Sequence, residues 1–149
     1  MTKPKKAEKS RYTFTYFEVP NALKLVIQVY LDDYLPFVGR IVDRFDVHFV
    51  TEEVADFELA VNVRREYRSA TIFVAPKFLQ LDEAAQRLAI CHELCHIFTD
   101  PIYIAALDVV ENFVPEEISP YVEEQIRKAN ELAVDDMSRF MIDCDEKRS

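Results

Sequence analysis

The stretch His92-Glu93-Leu94-Cys95-His96 uses two of the chain's three histidines, sets them four residues apart and places a glutamate beside the first. In a helix, side chains at that separation lie one turn apart on one face, with about 5 to 6 Å between Cβ atoms, so both imidazoles can reach a single ion. The spacing has meaning only on a helix, and the flanks supply one. Asp82 is the expected N-cap, Glu83 suits the first turn, and Pro101 is expected to stop the helix just after Thr99 and Asp100. Projection at 100° per residue gives a stripe of Ala85, Ala89, His92 and His96 with Glu93 at its edge, while Leu88, Ile90, Cys91, Leu94, Ile97 and Phe98 cover the rest. Such a helix is expected to be buried almost all round. Two buried imidazoles and a carboxylate are costly unless a metal or hydrogen bonds satisfy them, so metal binding is the expected role. Glu93 would then stand beside the open metal position, where a carboxylate can take a proton from water and pass it to a leaving amine.

A catalytic zinc site takes three protein ligands. His48 is a poor third, because it sits far upstream in the strand-like run Val47-His48-Phe49-Val50, where a hydrogen-bonded structural histidine is the simpler reading. Downstream, residues 123–135 read as a second helix, with Ile126, Ala129, Ala133, Met137, Phe140 and Met141 as its expected apolar face. That helix carries three glutamates, Glu123, Glu124 and Glu131.

Coming after the His-Glu-Leu-Cys-His helix, Asn130-Glu131-Leu132-Ala133-Val134-Asp135 resembles the NExxxD helix of gluzincin metallopeptidases, the thermolysin clan. The short single domain is similar to minimal gluzincins and to small metallopeptidases of bacteria and phages, with SprT-like and ImmA/IrrE-like proteins as relatives in layout. The resemblance implies Zn²⁺ held by His92, His96 and Glu131, with Glu93 as general base. It implies that Asp135 orients His92 through the other ring nitrogen and that Asn130 supports the site from beside the ligand. By the same analogy an edge strand above the metal binds the substrate backbone, which points to residues 70–75 or their hairpin partner. Glu124 lies seven residues before Glu131, on nearly the same helix face, and is the alternative ligand. Tyr103 and Tyr121 are the only downstream candidates to hold an oxyanion, since no histidine follows His96, and packing between helices is the commoner use of such tyrosines.

Length and charge fit one compact domain. At 149 residues, half of them hydrophobic, the chain can bury a real core without staples. The expected organisation is a basic tail over residues 1–11 and one zincin-like domain over residues 12–149. The tail carries five Lys/Arg against one Glu, leaving a formal net charge of −13 on the remainder. So acidic a body repels phosphate backbones, and direct nucleic-acid binding is not expected. No long uncharged apolar run and no signal-like N-terminus is present, so a cytoplasmic protein without membrane contact is expected, acting on a peptide or protein substrate. Cys91, Cys95 and Cys144 make no disulfide framework, and the first two are expected to pack in the core.

The expected fold is α+β. Asn21 is the expected cap of an N-terminal helix, carrying Leu23, Val26, Ile27, Tyr30, Leu31 and Tyr34 and ending near Pro36. Strands are expected over residues 42–51, over the alternating run 57–64 and over residues 70–75, in a small mixed sheet of three to four strands. The metal helix and a C-terminal ligand helix then pack across it. A second class of function stays open: a regulatory or binding module that keeps the metal fold for stability or partner recruitment and cleaves little or nothing.

Overall fold

A computed structural model describes residues 12–50 and 57–147, so the expected tail 1–11 and the last residue of the expected strand 42–51 lie outside the described residues. The first element, β1 (Thr13–Phe17), was not anticipated in the sequence. Its threonines alternate with aromatic residues, and Phe14 stacks on Phe45 of the neighbouring strand with ring centroids 5.3 Å apart. Then comes α1 (Asn21–Val38), whose N-cap position is Pro20 and not Asn21; no side chain caps it. Pro36 sits inside the last turn and does not end the helix at once, because Leu35 and Val38 continue its buried face. The chain's one glycine, Gly39, follows; a Cβ there would run into the Tyr12 ring, so only glycine lets the residue before β1 close over the end of α1.

The strands β2 (Arg44–Phe49), β3 (Leu59–Arg64) and β4 (Ser69–Val74) complete a four-stranded mixed sheet in the order β1-β2-β4-β3. β1 and β4 run parallel to β2, and β3 pairs antiparallel with β4, which leaves β3 on an edge. The parallel pair β1 and β2 requires a crossover, and α1 provides it. Phe45, Val47, Ala70, Ile72 and Val74 point to one face and form a single core with Leu23, Ile27 and Leu31 of α1 and with residues of the later helices. On the other face His48 lies between Phe17 and Phe73, with centroids 4.3 and 5.7 Å away, consistent with a packing role. The β3–β4 hairpin turns through a 3₁₀ turn, Arg65–Tyr67, and closes on Arg68 at φ 49, whose guanidinium is held by Asp43.

Two long helices finish the chain. α2 (Glu83–Phe113) begins as expected, with the Asp82 carboxylate accepting from the Ala85 amide at 2.8 Å. It does not stop at Pro101. A proline inside a helix lacks the N–H that would bond the carbonyl four residues back. Here that carbonyl belongs to Ile97, and it accepts from the Arg65 guanidinium at 2.6 Å instead, so the helix runs twelve residues further. Burial of α2 is also less complete than expected: Ile90, Cys91, Leu94, Cys95 and Ile97 are buried, but Leu88 is exposed.

α3 (Ser119–Glu146) packs along α2 and buries Val134, Ser138 and Met141. The expected apolar face is therefore misplaced. Of its members only Met141 is buried; Ile126 and Met137 are half-buried, and Ala129, Ala133 and Phe140 are exposed. The buried stripe is turned by roughly 100° from the expected one, which is what brings Glu131 and Asp135 round to α2. Arg87 joins all three helices, donating to the Tyr34 hydroxyl of α1 at 3.1 Å and pairing with Asp145 of α3.

Candidate metal centre

His92 and His96 stand one turn apart on α2 with ring centroids 5.3 Å apart, each partly shielded from solvent. Across from them, α3 presents Glu131, whose Oε2 lies 3.5 Å from His92 Nε2. One ligand atom from each of His92, His96 and Glu131 falls within 4.8 Å of the other two. Ligands of a tetrahedral zinc at about 2.0 to 2.2 Å stand roughly 3.3 to 3.6 Å apart, so a small contraction of this cluster would suffice for an ion. Among the described residues this is the one such grouping of His, Cys, Asp and Glu.

Both imidazoles are oriented through their second nitrogen. His92 Nδ1 lies 3.0 Å from Asp135 Oδ1, and His96 Nδ1 lies 3.0 Å from Asp100 Oδ1. A neutral imidazole that donates its Nδ1 proton to such a carboxylate keeps its Nε2 lone pair for a metal, so both contacts suit ligation through Nε2. Asp100 was missed in the sequence because it was read as the end of the helix before Pro101. The available signal was its spacing, four residues after His96, which puts the two on one face once the helix is known to continue. Burial favours neutral His96, but the hydrogen bond and charge of Asp100, together with Glu93 and Glu131, outweigh it and raise its pKa above the ordinary histidine value.

Glu93 is turned from the histidine stripe toward the sheet. Its Oε2 accepts from the Val61 amide of β3 at 3.0 Å. Burial pushes its pKa up, with Glu131 adding to the rise, while His96, His92 and the Val61 hydrogen bond restrain it. A half-buried carboxyl raised in this way moves toward the range in which general bases work. The amide of Val61 belongs to the edge strand, so β3 and α2 are fastened at Glu93 and again at the Arg65 to Ile97 hydrogen bond. Between these two strips lies a cleft of about 320 Å³, lined by Val61, Asn62, Val63, Arg65, Asp100 and Ile104 among others.

The other candidates fall elsewhere. Glu124 faces solvent and is paired with Arg127 at 2.8 Å and Lys128 at 3.3 Å; the Arg127 hydrogen bond is the main cause holding its pKa down to about 2. Asn130 adjoins Glu131 but lines an apolar cleft between α2 and α3, which it shares with Thr99, Ile102 and Tyr103. Tyr121 is exposed. Cys91 and Cys95 are buried, donating to the Ser138 carbonyl at 3.4 Å and to the Met141 sulfur at 3.5 Å. No family model, curated protein or solved structure matches the chain. The centre consequently stands on its own geometry: a His-His-Glu cluster able to hold a metal ion, with a half-buried glutamate beside it.

Proposed function

We propose that the protein is a zinc-dependent peptidase of gluzincin type, with a zincin-like domain in which His92, His96 and Glu131 hold the ion. The observation that carries this reading is the arrangement of one histidine-glutamate cluster shared by α2 and α3, a carboxylate on the second nitrogen of each histidine, and a separate half-buried carboxyl, Glu93, beside the first histidine. A structural zinc site is closed by four protein ligands, whereas three ligands and a neighbouring base suit catalysis. A zinc ion bound there supplies Lewis acidity, polarising the scissile carbonyl and acidifying water.

The chain's own residues supply the rest. Asp135 and Asp100 orient the imidazoles, so only a small inward shift of the ligand atoms is needed to close on the ion. Glu93 takes the proton from the attacking water and delivers it to the leaving amine. Beyond Val61, whose amide is taken by Glu93, the outer edge of β3 offers backbone groups beside the cluster, and an extended peptide lying there as an added strand has its scissile bond carried past Glu93. The cleft along Val61, Asn62 and Val63 is the place for its side chains. Among the described residues no helix is long and apolar enough to cross a membrane. Cys91, Cys95 and Cys144, all free, fit a reducing compartment such as the cytoplasm.

Digestion of a peptide library by the zinc-loaded protein, with and without chelator and in parallel with Glu93→Gln, tests the reading. Cleavage that chelator and Glu93→Gln both abolish, with zinc content unchanged in the variant, is the expected result. Zinc binding without any cleavage would instead make the domain a metal-stabilised binding module.

A further inference from the structure

Among the described residues nothing covers one side of the hairpin formed by the outer halves of α2 and α3, and that side carries no charge. Within an arc of roughly 100° on α2, residues 98–113 contribute only Phe98, Ile102, Ala105, Ala106, Val109 and Phe113. The matching arc of α3 holds Val122, Ile126, Ala129, Ala133, Met137 and Phe140, with Ser119 and Asn130 as its polar members. In a chain of which 30% of residues are charged, two uncharged arcs side by side are informative. That they share one side follows from the 270 Å³ cleft between the helices, lined by Ile102, Tyr103 and Ala106 from α2 and by Ile126, Ala129 and Ala133 from α3. The opposite side carries Asp100, Glu111, Glu124, Lys128 and Glu131. Phe113, Ile102, Phe140 and Val109 on the uncharged side are 81%, 75%, 66% and 55% exposed.

We propose that this face is a homodimer interface, on which a second copy packs its own hairpin about a two-fold axis to form a four-helix layer. Area and shape both favour a second copy as the occupant. With about 200 Å² for each aromatic side chain and somewhat less for each aliphatic one, the exposed members offer on the order of 700 Å² per copy, close to the roughly 800 Å² that a specific interface buries on each partner. The face is about 25 Å long and two helices wide, dimensions that an identical face matches. Bulky residues stand at its two ends, Phe113 at the tip and Phe140 at the base, and alanines 105, 106, 129 and 133 lie between them. A two-fold axis through the middle apposes alanine to alanine, lets the helices approach closely, and sets each tip against the other copy's base. Ile102, on the rim of the cleft, is placed to enter the partner's. A lipid surface is a poorer fit, because membrane-lying helices flank their apolar face with Lys and Arg, and this chain is acidic, with a formal net charge of −9.

Sedimentation of the full chain over a concentration series, with Ile102→Glu, Val109→Glu and the opposite-face control Ile104→Glu, tests the assignment. The expected wild-type species at about 100 μM is a dimer. Either face variant should raise its dissociation constant roughly tenfold or more, since a buried unpaired carboxylate is costly, while Ile104→Glu leaves it unchanged. Hydrogen exchange of the wild type at high and low concentration gives an independent readout should a variant misfold: slowing confined to 98–113 and 122–140 is expected on dimerisation. A wild type that stays monomeric at that concentration overturns the proposal, including one that instead binds phosphatidylglycerol vesicles or an amphipathic helical peptide. So does a dimer indifferent to both face variants, or one protected elsewhere.

Discussion

The inner and outer halves of the α2–α3 pair are built from similar residues and meet different fates. In the inner half Ile90, Cys91, Leu94, Cys95 and Ile97 sink against the sheet, α1 and α3. In the outer half Val110 is the one fully buried side chain of α2, while Ile102, Ile104, Val109 and Phe113 face outward. Periodicity is not what separates the halves; the sheet and its turn reach α2 only as far as the Arg65 bond to Ile97 and the cleft at Asp100 and Ile104, and beyond that, among the described residues, the two helices have only each other. A two-helix hairpin cannot enclose an apolar stripe, so the outer half is presented for contact. The candidate metal centre sits at the boundary, with a packed core behind His92 and an open hairpin beyond Asp100.

The sharpest test of this contrast is a matched pair of truncations, measured by urea unfolding at low protein concentration. Leu94→Ala should cost about 2 to 5 kcal/mol, the range for a well-packed core leucine. Val109→Ala should cost no more than about 0.5 kcal/mol, as at an ordinary surface site. Equal losses would show that the outer half is as tightly packed as the inner.

At the boundary, Asp100→Asn and Asp135→Asn should each weaken zinc binding by roughly 10 to 100-fold, the usual result of disturbing a carboxylate that orients a ligand histidine. Competition with a chromophoric chelator measures both. A loss for Asp135→Asn alone would show that Asp100 is a helix-surface residue whose pairing with His96 has no bearing on the ion.

A smaller effect belongs to the joint itself. If Arg65 stands in for the hydrogen bond that Pro101 removes, Arg65→Ala should cost about 1 to 2 kcal/mol in the native background and far less in Pro101→Ala, where the new amide serves the Ile97 carbonyl. Additive losses in that double-mutant cycle would separate the two residues.

The same joint explains where the sequence was legible and where it was not. Local signals carried well: Asp82 caps α2, the alternating run 57–64 contains β3, and a mixed sheet of up to four strands with helices across it is what forms. Glu131, implied by the resemblance to the NExxxD helix, is brought to the histidines, and Glu124 is not. What failed depended on distant partners. Pro101 reads as a stop unless Arg65, thirty-two residues from Ile97, is known to reach its carbonyl, and the stop in turn concealed Asp100. β1 is short and is defined by pairing with β2, a non-local contact. The apolar stripe on α3 was visible, but a stripe says only that something apolar belongs there, not that this chain provides it.

The central claim is that a metal ion is held by His92, His96 and Glu131, and the most direct measurement is zinc titration of Glu131→Gln beside Glu124→Gln. The account predicts one zinc per chain in the wild type and in Glu124→Gln with closely similar affinity, and a severe loss of affinity in Glu131→Gln. Wild-type affinity in Glu131→Gln, or an emptied site in Glu124→Gln, would contradict it.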